Sequence, residues 1–171
     1  MGGPLQTIFT ELALYNQWQN QVVYEICQTL GEEELSVRRP GLFFETLHRT
    51  LDHILHVDVV LLQFIRTEKP PKDFRPGEVQ FPTFVELARR RPLLDAEILE
   101  LITGSSEEWL SAPIAFDSER LARRRCFPRS FLLSQMFNHQ THHRSQATAT
   151  LHALGYEYGA TDLPMNPLSQ F

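Results

Sequence analysis

Phe137-Asn138-His139-Gln140-Thr141-His142-His143-Arg144-Ser145-Gln146 is the stretch from which this chain is best read. It lies inside Phe131 to Gly155, which reads as one long helix, with Pro128 just ahead and Gly155 suited to the position after the last turn. Projected at about 100° per residue, Leu132, Met136, Ala147, Leu151 and Leu154 define the inward face, and His139 and His143 lie on its edge. His142 falls toward Asn138 and Ala149, and His152 shares the polar side with Ser134, Thr141 and Ser145. Side chains four apart on a helix sit one turn above each other on the same face. Two imidazoles placed that way can bind one metal ion from one side, and a third ligand must come from another element.

Working outward, His53 in Leu51-Asp52-His53-Ile54-Leu55-His56-Val57-Asp58 is the best candidate for that ligand. The segment from about Leu42 to Arg66 has helical periodicity, with Glu45, Arg49, Asp52, His56, Gln63 and Arg66 on one polar arc and His48 at its margin. His53 falls outside the arc and should face inward, where a polar group needs a partner. His48, His56, His142 and His152 are expected at the surface. Three neutral imidazoles with open positions form a common arrangement for a reactive zinc, nickel or iron site. A lone H-x₃-H pair occurs often by chance, so the third inward histidine carries the metal reading. His139-Gln140-Thr141-His142-His143 also has the spacing of the zinc-protease H-E-x-x-H pattern, but Gln140 stands where the general base is needed, and an amide cannot serve.

The rest of the chain supplies two more helices. Leu5 to Leu30 carries apolar residues at threes and fours and ends at Gly31; Glu32 to Gly41 is a polar connection. Thr67 to Phe81, with Pro70, Pro71, Pro76 and Gly77, reads as a long loop. Thr83 and Glu86 form a capping-box pattern that opens a third helix, in which Pro92 should cause a kink or a break. Ala112 to Phe127 reads as two short strands or an extended crossover, and Tyr156 to Phe171 as coil. The expected fold is all-α: a single domain, 1–171, forming an antiparallel four-helix bundle with a small irregular or β-hairpin insertion before the last helix.

Composition narrows the function classes. The chain has 171 residues, 42% hydrophobic, with a net charge of -5, which argues against a dedicated nucleic-acid binder. Arg38-Arg39, Arg89-Arg90-Arg91 and Arg123-Arg124-Arg125 read as solvated faces offset by 21 acidic residues. No apolar run approaches the roughly 18 residues of a membrane span. The start, Met1-Gly2-Gly3-Pro4, lacks the features of a secretory signal, and Gln6 breaks a myristoylation pattern. Cys27 and Cys126 are expected as buried free thiols, not a disulfide framework. The expectation is a soluble, cytoplasmic protein. No Gly-rich phosphate loop or G-x-S-x-G elbow is present.

Several segments in this order resemble the DinB/YfiT-like family of small metal-binding four-helix bundles. Tyr15-Asn16-Gln17-Trp18-Gln19-Asn20 is similar to the family's Y-N-x-W-x-N start, and Leu51 to Asp58 to its L-x-H-I-x-x-x-D segment. Phe137 to Gln146 resembles its F-N-H-Q-T-H-H-R-G-Q signature, with Ser145 in place of the glycine, and Thr161-Asp162-Leu163 its C-terminal T-D-L. Leu61 or Leu62 stands where many relatives have Trp. The resemblance implies metal ligation by His53, His139 and His143, one nickel, zinc or iron ion, and a homodimer. It implies thiol-dependent transferases or isomerases among related enzymes, while many members have no assigned reaction.

Two functions follow as expectations. One is a metal-dependent enzyme, of thiol-transferase or hydrolase type, acting on a small thiol or hydrolysable substrate through metal-bound water or thiolate, since the sequence offers no evident general base. The other is a non-catalytic bundle stabilised by its metal, serving in stress response or partner binding. A bundle that never takes metal is a third possibility.

Overall fold

The computed structural model describes residues 2–69, 75–118 and 123–171. Pro70 and Pro71, read above as part of a loop, lie outside the described residues. Helix α1 spans Pro4–Leu35, with a proline in its first turn and a break at Gly31, whose φ of 75° and ψ of 160° end the regular helix where the sequence predicts. Helix α2 is Leu47–Thr67, starting later than the periodicity suggests. Glu45 adopts a left-handed φ of 69°, and the extended Thr46 caps the helix by accepting the Arg49 N–H at 3.1 Å, so residues 42–45 form a turn.

Helix α3, Phe84–Thr103, begins with the predicted capping box between Thr83 and Glu86 and runs through Pro92 without interruption. Its neighbours in sequence, Arg91, Leu94 and Asp95, are buried against other helices, and this packing holds the helix through the residue that lacks an N–H. A short helix α4, Glu107–Ser111, leads into strands β1, Pro113–Ser118, and β2, Arg123–Pro128. These pair antiparallel, with Pro113 opposite Pro128 and Ala115 opposite Cys126, so the insertion is a hairpin. Cys126 is exposed on this two-stranded ribbon, against the expectation of a buried thiol, because among the described residues nothing covers that face of β2; Cys27 is buried as expected. Helix α5, Arg129–Ala153, closes on Gly155 at φ 88°, with Tyr156 N–H on Leu151 O at 3.0 Å and Gly155 N–H on His152 O at 2.9 Å. Those are the two bonds of a Schellman motif.

The helices form a ring in the order α1, α3, α2, α5. Gln6 bonds Thr103 O and Tyr24 packs on Phe84, so α1 and α3 are antiparallel. Arg129 pairs with Glu68 while His53 meets His139, so α2 and α5 are antiparallel as well. The two pairs join along parallel contacts, Asp58 to Arg91 between α2 and α3, and Phe9 to Phe137 between α1 and α5. Parallel neighbours cannot be joined by a tight turn, and the described residues 75–81 lie back along α2. The coil after α5 lies on α1, where Tyr15 Oη–H bonds Thr161 O at 2.7 Å and Gln19 Nε2–H bonds Ala160 O at 3.1 Å.

The return of residues 75–81 explains a departure from the helical projection of α2. Gln80 and Phe81 donate their N–H groups to Asp52 at 3.1 and 2.8 Å, and Arg49 donates to Gly77 O at 3.2 Å. Backbone thus covers the part of the polar arc around Asp52. Asp52 and His48 are buried and His56 is half-buried, where the sequence reading placed both histidines at the surface.

A second departure is Arg91. Read as part of a solvated triplet, it is 2% exposed and sits at the centre of the bundle. It donates to Asp58 Oδ2 at 2.6 Å and lies 2.8 Å from Asp95 Oδ1. Asn20 Nδ2–H reaches Asp95 at 3.0 Å and Gln140 Oε1 at 3.3 Å, and Arg144 Nη1–H reaches Asn16 at 2.7 Å and Asn20 at 3.1 Å. All four long helices contribute to this layer, around it an apolar core that includes Leu51, Leu55, Leu87, Leu94, Met136 and Leu151.

Candidate metal centre

Helix α2 presents His53 and the antiparallel α5 presents His139 and His143 one turn apart, so three imidazoles converge from two helices. His53 and His143 are buried and His139 is half-buried. His53 Nε2 lies 3.1 Å from His139 Nε2. The ring centroids are 5.0 Å apart for His53 and His139, 4.9 Å for His53 and His143, and 4.6 Å for His139 and His143. One nitrogen from each ring lies within 4.8 Å of the others. Among the described residues, no Asp, Glu or Cys joins this cluster.

The donor set fits a divalent cation. Zinc–imidazole bonds of about 2.0–2.1 Å at tetrahedral angles place neighbouring nitrogens roughly 3.3 Å apart, close to the Nε2 separation seen here. Burial, reinforced by His143 and His56, lowers the pKa of His53 to about 4. Burial, with His143 and His53 adding to it, lowers that of His139 to about 3, and burial lowers His143 too. All three are neutral near pH 7, as metal ligands must be. Among the described residues, the Nδ1 atoms of His53 and His139 are buried without a hydrogen-bond partner. His143 differs: its Nδ1 lies 3.3 Å from Gln146 Oε1, and with Nδ1–H as donor its Nε2 lone pair is left for a ligand.

Phe44, in the turn before α2, closes one side. Its ring centroid is 3.9 Å from that of His53 and 5.4 Å from that of His143. Gly77 makes room for it: at φ 83°, a Cβ there would lie 3.3 Å from Phe44 Cε1.

Each site histidine predicted from sequence is therefore in the cluster. His142 and His152 are exposed as expected, and His48 and His56 line the other face of α2. Sequence reasoning missed Phe44, whose contact with His53 no local pattern reveals. It missed Gln146 as a partner of His143, although a spacing of three on a helix places them on one face.

A family model, DinB family, matches residues 1–170. The chain belongs to the DinB family. Among curated proteins, none matches the sequence. Within this DinB chain, five of the polar motif residues share a destination: Asn16, Asn20, Asp58, Gln140 and Arg144 all lie in the buried polar layer with Arg91 and Asp95. The i, i+4 pairs Asn16/Asn20, Arg91/Asp95 and Gln140/Arg144 would have revealed that layer had they been projected with the apolar residues. Among the described residues of this DinB protein, no helix is long and apolar enough to cross a membrane.

Proposed function

We propose that this protein is a divalent-metal-dependent enzyme in which His53, His139 and His143 are the metal ligands. The observation that carries the reading is the 3.1 Å approach of His53 Nε2 to His139 Nε2, with His143 beside them. Three imidazoles without a carboxylate or thiolate among the described residues favour an ion with open positions for water or substrate. When bound, a divalent ion lowers the pKa of a coordinated water or thiol. The protein's own part is to keep the imidazoles neutral, to orient His143 through Gln146, and to exclude water from one side with Phe44. The reading includes zinc, nickel or iron as the ion, a small thiol or hydrolysable molecule as substrate, a homodimer and a cytoplasmic setting.

One observation favours the alternative of a non-catalytic, metal-stabilised bundle: the Phe44 ring packed on His53 covers part of the site. Thiol-transfer and hydrolysis screens on metal-loaded wild type and Phe44→Ala separate the two, since only the enzyme turns substrate over.

The first test is elemental analysis of tag-free protein beside a His139→Ala/His143→Ala variant, with circular dichroism to establish that the variant is folded. About one equivalent in the wild type and none in the variant is expected. An ion present at about 100 times its Kd stabilises the fold by about 2.7 kcal/mol, so chelation should lower the melting temperature by about 5–11 °C. Wild-type protein that takes up no zinc, nickel or iron would refute the reading.

A further inference from the structure

The turn that brings Phe44 to the histidines also carries two arginines. Between this turn and the last turns of α5 lies a groove of about 530 Å³, lined by Arg38, Arg39, Gly41, Ser145, Gln146 and Thr150, among others. That volume is in the range of small-molecule sites. Gln146 belongs to both places, lining the groove and holding His143 through Oε1 at 3.3 Å, so groove and histidine cluster share a wall.

The groove has a definite chemical preference. Among the described residues no carboxylate lines it, in a chain of net charge -5. Its hydroxyl donors are committed: Ser145 Oγ–H to His142 O at 2.7 Å and Thr150 Oγ1–H to Gln146 O at 2.9 Å. The guanidinium groups are only partly so. Arg38 gives one terminal nitrogen to Glu45 and Arg39 one to Glu34, and among the described residues neither makes a second side-chain bond. Arg38 is largely exposed, where such a pair is weak and exchangeable. Glu45 fixes the turn from its left-handed backbone: its carboxylate holds Arg38 and its carbonyl accepts the Arg39 N–H at 2.7 Å. A planar fork matches a carboxylate in two bonds. The two glutamates leave the rim with little net charge, which suits a singly charged carboxylate better than a phosphate dianion.

We infer that Arg38 and Arg39 bind the carboxylate end of a small molecule whose other end meets His53, His139 and His143. The second half of this statement rests on the metal reading above; the groove's preference for a carboxylate does not.

The test uses glutathione, a thiol with two carboxylates, and its diethyl ester. Both are titrated calorimetrically into protein of measured metal content and into the same protein after chelator treatment. Glutathione is expected to bind about tenfold more tightly than the ester, as the loss of one charge-assisted hydrogen bond implies, and Arg38→Gln/Arg39→Gln should abolish that difference with metal content unchanged. Equal binding of acid and ester overturns the inference, as does a variant that keeps the preference, or glutathione that fails to bind at millimolar concentration. The ester comparison needs no variant, so a misfolded variant does not obscure the outcome. In a protein that takes no metal, the same comparison on the chelator-treated sample still decides the groove, so the two readings fail separately.

Discussion

Replacing Arg91 with leucine should be among the most damaging single substitutions in this chain. The side chains of Arg91 and Asp58 are 2% and 0% exposed and paired at 2.6 Å, and Asp95, 3% exposed, lies 2.8 Å away. Leucine fills much of the volume but leaves two carboxylates in the core without their cation. Breaking a buried pair by removing one partner costs about 3–5 kcal/mol. Proton uptake limits the loss, because burial already pushes Asp58 up to about 7 despite the opposing charge of Arg91. An expected loss of about 4 kcal/mol corresponds to a fall of about 8–16 °C in melting temperature for a chain of this size. The pH dependence gives a second reading. A carboxyl whose folded pKa lies above its unfolded value of about 3.9 stabilises the fold below that value and loses the contribution as pH rises through the folded pKa. Without Arg91 the folded value rises further, so the variant's deficit should be larger at pH 8.5 than at pH 6. Thermal and urea denaturation at both pH values measure it. A deficit under about 1 kcal/mol, or one equal at the two pH values, would refute the account of a charged core held by Arg91.

Three more predictions follow from other parts of the molecule. With metal removed, stability should fall as pH drops from about 6.5 to 4.5: the folded pKa values of His53 and His139, about 4 and 3, lie below the usual 6.5, so their contribution is present above 6.5 and is lost on acidification. After allowance for partial solvent screening, about 1–2 kcal/mol per histidine is expected in urea titrations, and a flat profile would contradict the burial of these rings. Of the two cysteines, Cys126 is exposed and should react with a maleimide within minutes, whereas Cys27, its thiol pushed up to about 12 by burial, should react only on unfolding; two fast thiols in the native protein would count against the packing of α1. Thr83→Ala removes the capping box at the start of α3 and should cost about 1 kcal/mol, with Thr83→Asp retaining most of the stability in thermal melts.

The histidine cluster was legible because its signal is local. His139 and His143 share one face of one helix, and His53 stands apart from the polar arc of α2. The failures have separate causes. His48 and Asp52 lie on a polar arc that segment 75–81 covers, and covering by a distant backbone leaves no trace in the periodicity of α2 itself. Arg91 was misread for a different reason. Its place in Arg89-Arg90-Arg91 resembles a solvated charge run, yet Leu87, Arg91, Leu94 and Ile98 recur at fours and threes along one face. Periodicity was the better guide there than composition. The hairpin was half-readable: Pro113 to Phe116 and Arg125 to Phe127 have strand-like sequences, but pairing depends on a register that neither segment specifies alone.

The ring order of the helices has a consequence for how the chain finds its fold. In an up-and-down bundle, each helix meets the next across a short loop. Here Asn20 finds Asp95 across 75 residues, His53 finds His139 across 86, and Asn20 finds Gln140 across 120. Contacts so distant in sequence slow folding relative to bundles dominated by local pairs. During synthesis α1 and α2 emerge with neither of their antiparallel partners yet made. The last long helix supplies two of the three clustered histidines and packs against both α1 and α2, so the core cannot close until nearly the whole chain exists.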